Sequence, residues 1–413
     1  MLLHCGIVGT NIFATRNGEG GRVNTVKPAR VFSSIYDILI KTGIGDSYIY
    51  PLSGSGILKG ASMRSMAKCL DELPVNYWDD SLPRKLVIGN ALFAIGKYEA
   101  AATLFESISN VALDNSESCF NLALCMVRMQ EPELAVNLFN ELALKLPSFC
   151  EIYYQRAKVY DSIGESDQAL ENYVTAAKLY PGHVRAKFNM GLLLARIERH
   201  EEAVVQFSQV LVLRPGLANA YLNRGVSSEE LGSFDTAMED YTMALSIDPL
   251  NENALFNRAR VNYHLGRLEA ARSDYSDFLR LVPNDPEAYN NRGLVFDALG
   301  NEEAAIRDYD QALLNFPEFS EALNNKGAAL ENIGDLDLAL NLYLAAIDAN
   351  PDYSSAYFNA AKIYVAKGQL VLAEEYLHRS VVLNREHLPE AIEDEQLGWL
   401  IDVQGIKYSM GSQ

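Results

Sequence analysis

Cysteine is scarce: Cys5, Cys69, Cys119, Cys125 and Cys150 form an odd set without a CxxC pair. Neither a disulfide framework nor a zinc site follows from such spacing, and a reducing compartment is expected. No Asn-x-Ser/Thr acceptor occurs, and no run of about 18 apolar residues could cross a bilayer. Residues 1–13 lack a basic first region and a small-residue cleavage site, and no Arg/Ser-rich amphipathic stretch follows, so no signal or transit peptide is expected. Basic charge is also in short supply. With 35 Lys and Arg against 54 Asp and Glu, the net charge of −19 excludes broad electrostatic binding to nucleic acid or anionic lipid. A soluble, cytoplasmic protein with a basic or neutral protein partner is expected.

Signals for chemistry are equally thin. The six histidines (His4, His183, His200, His264, His378, His387) show no metal-ligand spacing, and no Ser or Cys sits in a nucleophile elbow. Gly54–Gly60 is glycine-rich but lacks the Gly-Lys-Ser/Thr ending of a phosphate loop. No catalytic residue, metal site or cofactor is predicted, and the chain reads as a non-enzyme.

What the sequence does contain is a period. Pro147, Pro181, Pro215, Pro249, Pro283, Pro317 and Pro351 recur at intervals of 34 residues. Twelve residues before each proline stands an alanine, from Ala135 to Ala339, and the phase continues outward to Ala101 and Ala373. Eight before is an aromatic: Phe139, Tyr173, Phe207, Tyr241, Tyr275, Tyr309 and Tyr343. A small residue stands 24 before, and glycine is common 17 before, with Gln130 and Glu198 as departures. Within 218–251, apolar and small residues fall at helical spacing in two segments separated by Leu231-Gly232, which predicts two short helices joined by a tight turn. No such unit buries its apolar faces alone, whereas stacked units share one core.

These residues resemble the tetratricopeptide repeat, a helix–turn–helix unit of 34 residues, over nine repeats spanning 82–387 without insertion or deletion. The resemblance implies an all-α protein: a right-handed α-solenoid, or superhelix, whose first helices line a concave groove. Residues 388–413 then supply a capping helix and tail, with Pro389 at a first helical position and Ile392, Leu397, Leu400 and Ile401 as its apolar face. Residues 1–81 leave the repeat frame. They carry ten of the 27 glycines and a net charge of +1, against −20 for the remainder. A glycine-rich N-terminal arm is expected, with a short helix from Ala61 to Leu70.

The candidate site lies on the first helices. Asn121, Gln155, Asn189, Asn223, Asn257, Asn291, Asn325 and Asn359 stand 26 before successive proline positions. In the family this position faces the groove, and the row resembles the asparagine ladder of the O-GlcNAc transferase superhelix, here without a catalytic domain. A carboxamide both donates and accepts, so the row could hold the backbone of an extended peptide. Hydrogen bonding to the neighbouring helix is an equal alternative. One residue earlier, Phe120, Tyr154, Phe188, Phe256 and Phe358 give the groove apolar sections or pack between helices. Asp161, Glu229, Asp297 and Glu331 occupy equivalent places that favour a basic ligand or form a solvated acidic face. Arg156, Arg224, Arg258, Arg292 and Lys326 follow the amides, where inter-repeat salt bridges are expected. Some members resemble a clamp for acidic chaperone tails, but Lys158, Arg260 and Lys362 stand singly here. Two functions follow from the resemblance. One is a scaffold binding an extended polypeptide in its groove. The other is a structural subunit of a multi-subunit ciliary, cytoskeletal or trafficking assembly that uses the arm and outer faces.

Overall fold

The unit at 218–251 shows how the pattern becomes structure. Ala218–Glu230 and Phe234–Ile247 are helices. Between them Gly232 adopts φ +70°, and the Ser233 amide donates back to the Ser228 carbonyl at 2.8 Å. A left-handed residue thus closes the first helix and sends the chain back along it. The two helices meet closely, because a Cβ at Gly225 would lie 2.7 Å from the Tyr241 ring. Ala237, Tyr241 and Ala244 are fully buried. The second helix stops two residues before Pro249, where the proline ring restricts the extended Asp248.

This computed structural model describes residues 82–111, 116–394, 397, 398 and 400, and among them are nineteen helices and no strand. In chain order these are α1 Leu82–Ala94, α2 Tyr98–Val111, α3 Ser116–Arg128, α4 Pro132–Lys145, α5 Cys150–Ser162, α6 Ser166–Leu179, α7 Val184–Arg196, α8 His200–Leu213, α9 Ala218–Glu230, α10 Phe234–Ile247, α11 Glu252–His264, α12 Leu268–Leu281, α13 Pro286–Ala298, α14 Glu302–Asn315, α15 Ser320–Asn332, α16 Leu336–Ala349, α17 Ser354–Ala366, α18 Leu370–Leu383 and α19 His387–Glu393. First helices of 13 residues alternate with second helices of 14 through α18. The turn is the same in every pair. Where glycine is missing, Gln130 and Glu198 take φ values of 62° and 61°. Proline, by contrast, is dispensable for stopping the second helix: α18 ends in phase with Arg385 in the proline's place.

The chain divides into two units, 1–193 and 194–413, and the described residues of each form an α-solenoid stack of helical hairpins. In the first, Phe105, Phe120, Phe139 and Ile152 belong to one core. In the second, Tyr241 and Tyr275 centre one cluster, Tyr309 another, and Tyr343 with Leu377 a third.

The C-terminal end departs from expectation. Helix α19 begins at His387, two residues before Pro389, and stops at Glu393. The interruption has a cause: the Asp394 carboxylate accepts from the Leu397 amide at 2.9 Å and its carbonyl from the Gly398 amide at 2.8 Å. Asp394 therefore starts a new turn as its N-cap. Leu397 and Leu400 are buried as expected, whereas Ile392 is exposed. The expected N-terminal arm, its helix at 61–70, and the tail with Ile401 lie outside the described residues.

Candidate functional site

In the first unit two of the three amides are internal. Asn121 is buried and donates to Asn90 Oδ1 at 2.8 Å. Gln155 is buried and donates to Glu151 Oε1 at 2.8 Å, while Asn189, half-buried, donates to the Tyr154 hydroxyl at 3.3 Å. Glu151 organises this end: His183 Nε2 lies 3.4 Å and Arg185 Nη2 3.3 Å from it. Burial alone would raise its pKa, but the bonds from His183 and Gln155 and the Arg185 charge prevail and hold it below the usual carboxylate range. Asn121 and Gln155 are therefore corrected from groove contacts to packing contacts. Their amides are spent on neighbouring side chains.

In the second unit Asn223, Asn257, Asn291, Asn325 and Asn359 are all half-buried, on the first helices of successive pairs. Asn325 donates to Asn290 Oδ1 at 2.9 Å and Asn359 to Asn324 Oδ1 at 3.0 Å, each reaching one repeat back. Asn290 in turn donates to Asn291 Oδ1 at 3.3 Å. Asn223 donates to the Asn219 carbonyl at 2.7 Å. Both alternatives thus have structural content: amide N–H groups tie adjacent repeats, while the side-chain Oδ1 atoms of Asn223 and Asn359 accept from no described residue. For the aromatics one residue earlier, packing between helices is the alternative that describes three of the five. Phe120, Tyr154 and Phe358 are only 3%, 3% and 6% exposed. They pack edge-on or tilted against Phe139, Tyr173 and His387 respectively, inside the stack. Phe188 and Phe256 are half-buried, the latter against Tyr275 and Phe278.

The acidic series is tied down by the buried second-helix tyrosines. Tyr241 donates to Glu229 at 2.7 Å, Tyr309 to Asp297 at 2.5 Å, Tyr343 to Glu331 at 2.7 Å and Tyr173 to Asp161 at 3.5 Å. Burial first, then the adjacent carboxylates, drive the hydroxyls of Tyr241, Tyr309 and Tyr343 far above the usual phenol range. Two of the acids also have a cation one repeat on: Arg260 Nη2 lies 2.9 Å from Glu229, and Lys362 Nζ lies 3.8 Å from Glu331. The equivalent partner of Asp297 is Ala328. Asp297 Oδ1 is buried without a hydrogen bond among the described residues, and desolvation raises its pKa. The acidic face expected to attract a basic ligand is thus partly neutralised from within.

The cations after the amides pair differently from expectation. Arg224 grips Asp240 through Nε at 2.9 Å and Nη2 at 2.6 Å, and Arg258 and Arg292 grip Asp274 and Asp308 in the same way. These bidentate pairs join the two helices of one repeat. The inter-repeat bond is the third one, from Nη1 to Ser208, Thr242 or Ser276. Only Lys326, bound to Asp310 at 2.7 Å, makes the expected inter-repeat ion pair. The constant spacing of 16 from arginine to aspartate is a signal carried by the sequence itself.

Among the described residues no His, Cys, Asp and Glu group is arranged to hold a metal ion, and no helix is long and apolar enough to cross a membrane. Cys125 lies in the core, where burial pushes its thiol up to about 12.

Repeated hairpins of this geometry define a helical-repeat scaffold. The chain belongs to the tetratricopeptide repeat family: models described as "Tetratricopeptide repeat" match 154–218, 218–249, 248–286, 257–314, 290–352 and 342–375. Together the matches run without a gap over more than half of the 413 residues. The family's fold is a non-catalytic protein-interaction scaffold. Among curated proteins the chain is similar to BBSome complex member BBS4 of Bos taurus, 24% identical over 116 residues, covering 28% of this chain and 22% of that protein. It is also similar to human Tetratricopeptide repeat protein 28, 32% identical over 74 residues, covering 18% and 3%. The matched segments thus span under a quarter of either relative. Similar solved structures include the APC/C hetero-tetramer Cut9-Hcn1, with TM-score 0.45, 13% identity and coverage of 92% and 96%. A tetratricopeptide repeat protein from Parabacteroides merdae has TM-score 0.44 and 18% identity, covering 61% and 100%.

Proposed function

We propose that this chain is a scaffold that binds an extended polypeptide along the first-helix face of its second unit. The observation that carries this reading is the row of Asn223, Asn257, Asn291, Asn325 and Asn359: five amides on successive first helices, all reached by solvent. Carboxamide oxygens at repeat spacing accept backbone N–H groups of any sequence, so affinity comes from length more than from side-chain identity. Partners lacking a strong positive charge fit this face, because Glu229 and Glu331 already have Arg260 and Lys362. The test is replacement of Asn223, Asn257, Asn291 and Asn325 together by Ala, with bound polypeptides captured from native cells and their affinities remeasured. Loss of at least about tenfold in affinity with the helical content retained is expected. Unchanged affinity for every partner would rule out the reading.

A second reading is membership of a multi-subunit assembly through the outer faces, in the cytoplasm at a cilium or cytoskeletal structure. It is supported by Leu144, Val212, Leu314 and Val382, which occupy one repeat position and are 85%, 82%, 73% and 59% exposed. Similarity to a BBSome complex member supports it too. Changing these four to Ser should then abolish incorporation while leaving the four-Asn variant's partners bound.

A further inference from the structure

The repeats serve as internal controls for one another, and Arg156 is the exception among the arginines. Like Arg224 and Arg292, it lies over the ring of the tyrosine three residues before it, at 5.3 Å against 5.6 Å in both others. The stacking presents the guanidinium to the second helices in the same way. In the second unit each equivalent guanidinium meets an aspartate 2–8% exposed, which neutralises it. At Arg156 the aspartate position holds Asn172. Nε donates to Asn172 Oδ1 at 2.8 Å and Nη1 to Asn140 Oδ1 at 2.7 Å. Both acceptors are neutral, and Nη2 donates to no described residue.

The uncharged site is also open. A pocket of about 280 Å³ opens there, walled by α4, α5 and α6 and lined beside Arg156 and Asn172 by Asn140, Tyr153, Tyr160, Gln168, Glu171 and Thr175. Its wall is formed largely by second helices, so it is separate from the amide row. A full positive charge with neutral partners in a polar recess is poised for a charge-assisted bond. We propose that the Arg156 pocket docks a single carboxylate side chain, Asp or Glu, from a partner polypeptide. The incoming carboxylate takes the Nη2 donor that Asp240, Asp274 and Asp308 occupy elsewhere. A monoanion suits the site better than a phosphate, because exposed Glu171 lines the same pocket and repels a dianion more strongly.

The test is a titration of the full-length chain followed by NMR of the arginine side-chain N–H groups, with the Arg156 resonance identified by its loss in Arg156→Lys. The probes are acetyl-Ala-Asp-Ala-amide, its Asn analogue and its phosphoserine analogue. A saturable shift of Arg156 with the Asp peptide is expected, with none from the Asn peptide and a weaker one from phosphoserine. Asn172→Asp gives Arg156 the neutralising carboxylate that its sister repeats carry, so it should weaken the Asp peptide by at least about tenfold while preserving the fold. Glu171→Gln, a change at an exposed residue, should strengthen it about threefold. The proposal is overturned by any of three results: no saturable shift in the wild type, equal response to the Asn peptide, or tighter binding of phosphoserine. Undiminished binding in a folded Asn172→Asp variant overturns it as well.

Discussion

Asp297 concentrates the residue-scale conflict in this molecule. Tyr309 satisfies one carboxylate oxygen at 2.5 Å, while the other is buried and unpartnered among the described residues. At Glu229 and Glu331 a cation from the next repeat supplies what Ala328 cannot. Desolvation is the main cause of the raised pKa at Asp297. An acid whose pKa is raised by folding binds its proton more tightly in the native state, so stability is lost as pH rises from its ordinary range through the native value. Asn at 297 keeps an acceptor for Tyr309 and carries no charge. Asp297→Asn should therefore raise the melting temperature at pH 7, with the gain shrinking as pH falls below the ordinary carboxylate range. A melting curve at each pH checks this; a gain that persists undiminished in acid would show that charge is not the cause.

At the scale of the element, the turn between paired helices is fixed by one left-handed residue. Seven turns in the described region use glycine there, and two force Gln130 and Glu198 into φ near 60°. A side chain in this region costs about 1–2 kcal/mol, partly offset because glycine leaves the unfolded chain freer by about 0.5–1 kcal/mol. Gln130→Gly and Glu198→Gly should each stabilise by a few tenths to about 1 kcal/mol, measurable by chemical denaturation. Gly232→Gln should do the reverse. Such turns and the helices they join were legible in the sequence because the determinants are local: a glycine, a proline and a small residue at fixed intervals. The site was legible only in part. Asn121 and Gln155 stand at the same repeat position as the half-buried Asn257, and their amides are taken up by Asn90 of the preceding repeat and by Glu151 one turn earlier. Likewise the Arg–Asp grips needed the spacing of 16 to be considered across a turn, and Tyr–carboxylate ties needed it at 12.

At the scale of the whole molecule, fold and function separate. Membership of the tetratricopeptide repeat family accounts for the stacked hairpins, while the faces they present differ from repeat to repeat. In the first unit Asn121 and Gln155 serve packing and one arginine lacks its acid; in the second all five amides reach solvent and the arginines are closed. Two units built on one plan thus offer different chemistry. That division predicts independent losses: the four-Asn variant and Asn172→Asp should each remove its own ligand and leave the other's affinity unchanged, which parallel titrations would reveal.

The constancy of the hairpin also sets a quantum of length. Asn251 caps α11 by accepting from the Ala254 amide at 3.0 Å, and Asp285 caps α13 by accepting from that of Ala288 at 2.7 Å. Excision of 252–285 would bring Asn251 directly before Pro286, with Ala288 again three residues on. Arg258 and Asp274 would leave together, and Thr242 would stand where Ser276 stood beside Arg292. Such a chain should refold with one hairpin fewer. Removing one residue more or fewer would misalign the cap with the helix that follows, where each residue of register is worth about 100° of rotation. Growth and shrinkage of this protein are thereby confined to whole multiples of its own period, much as a reading frame confines the insertions a gene can absorb.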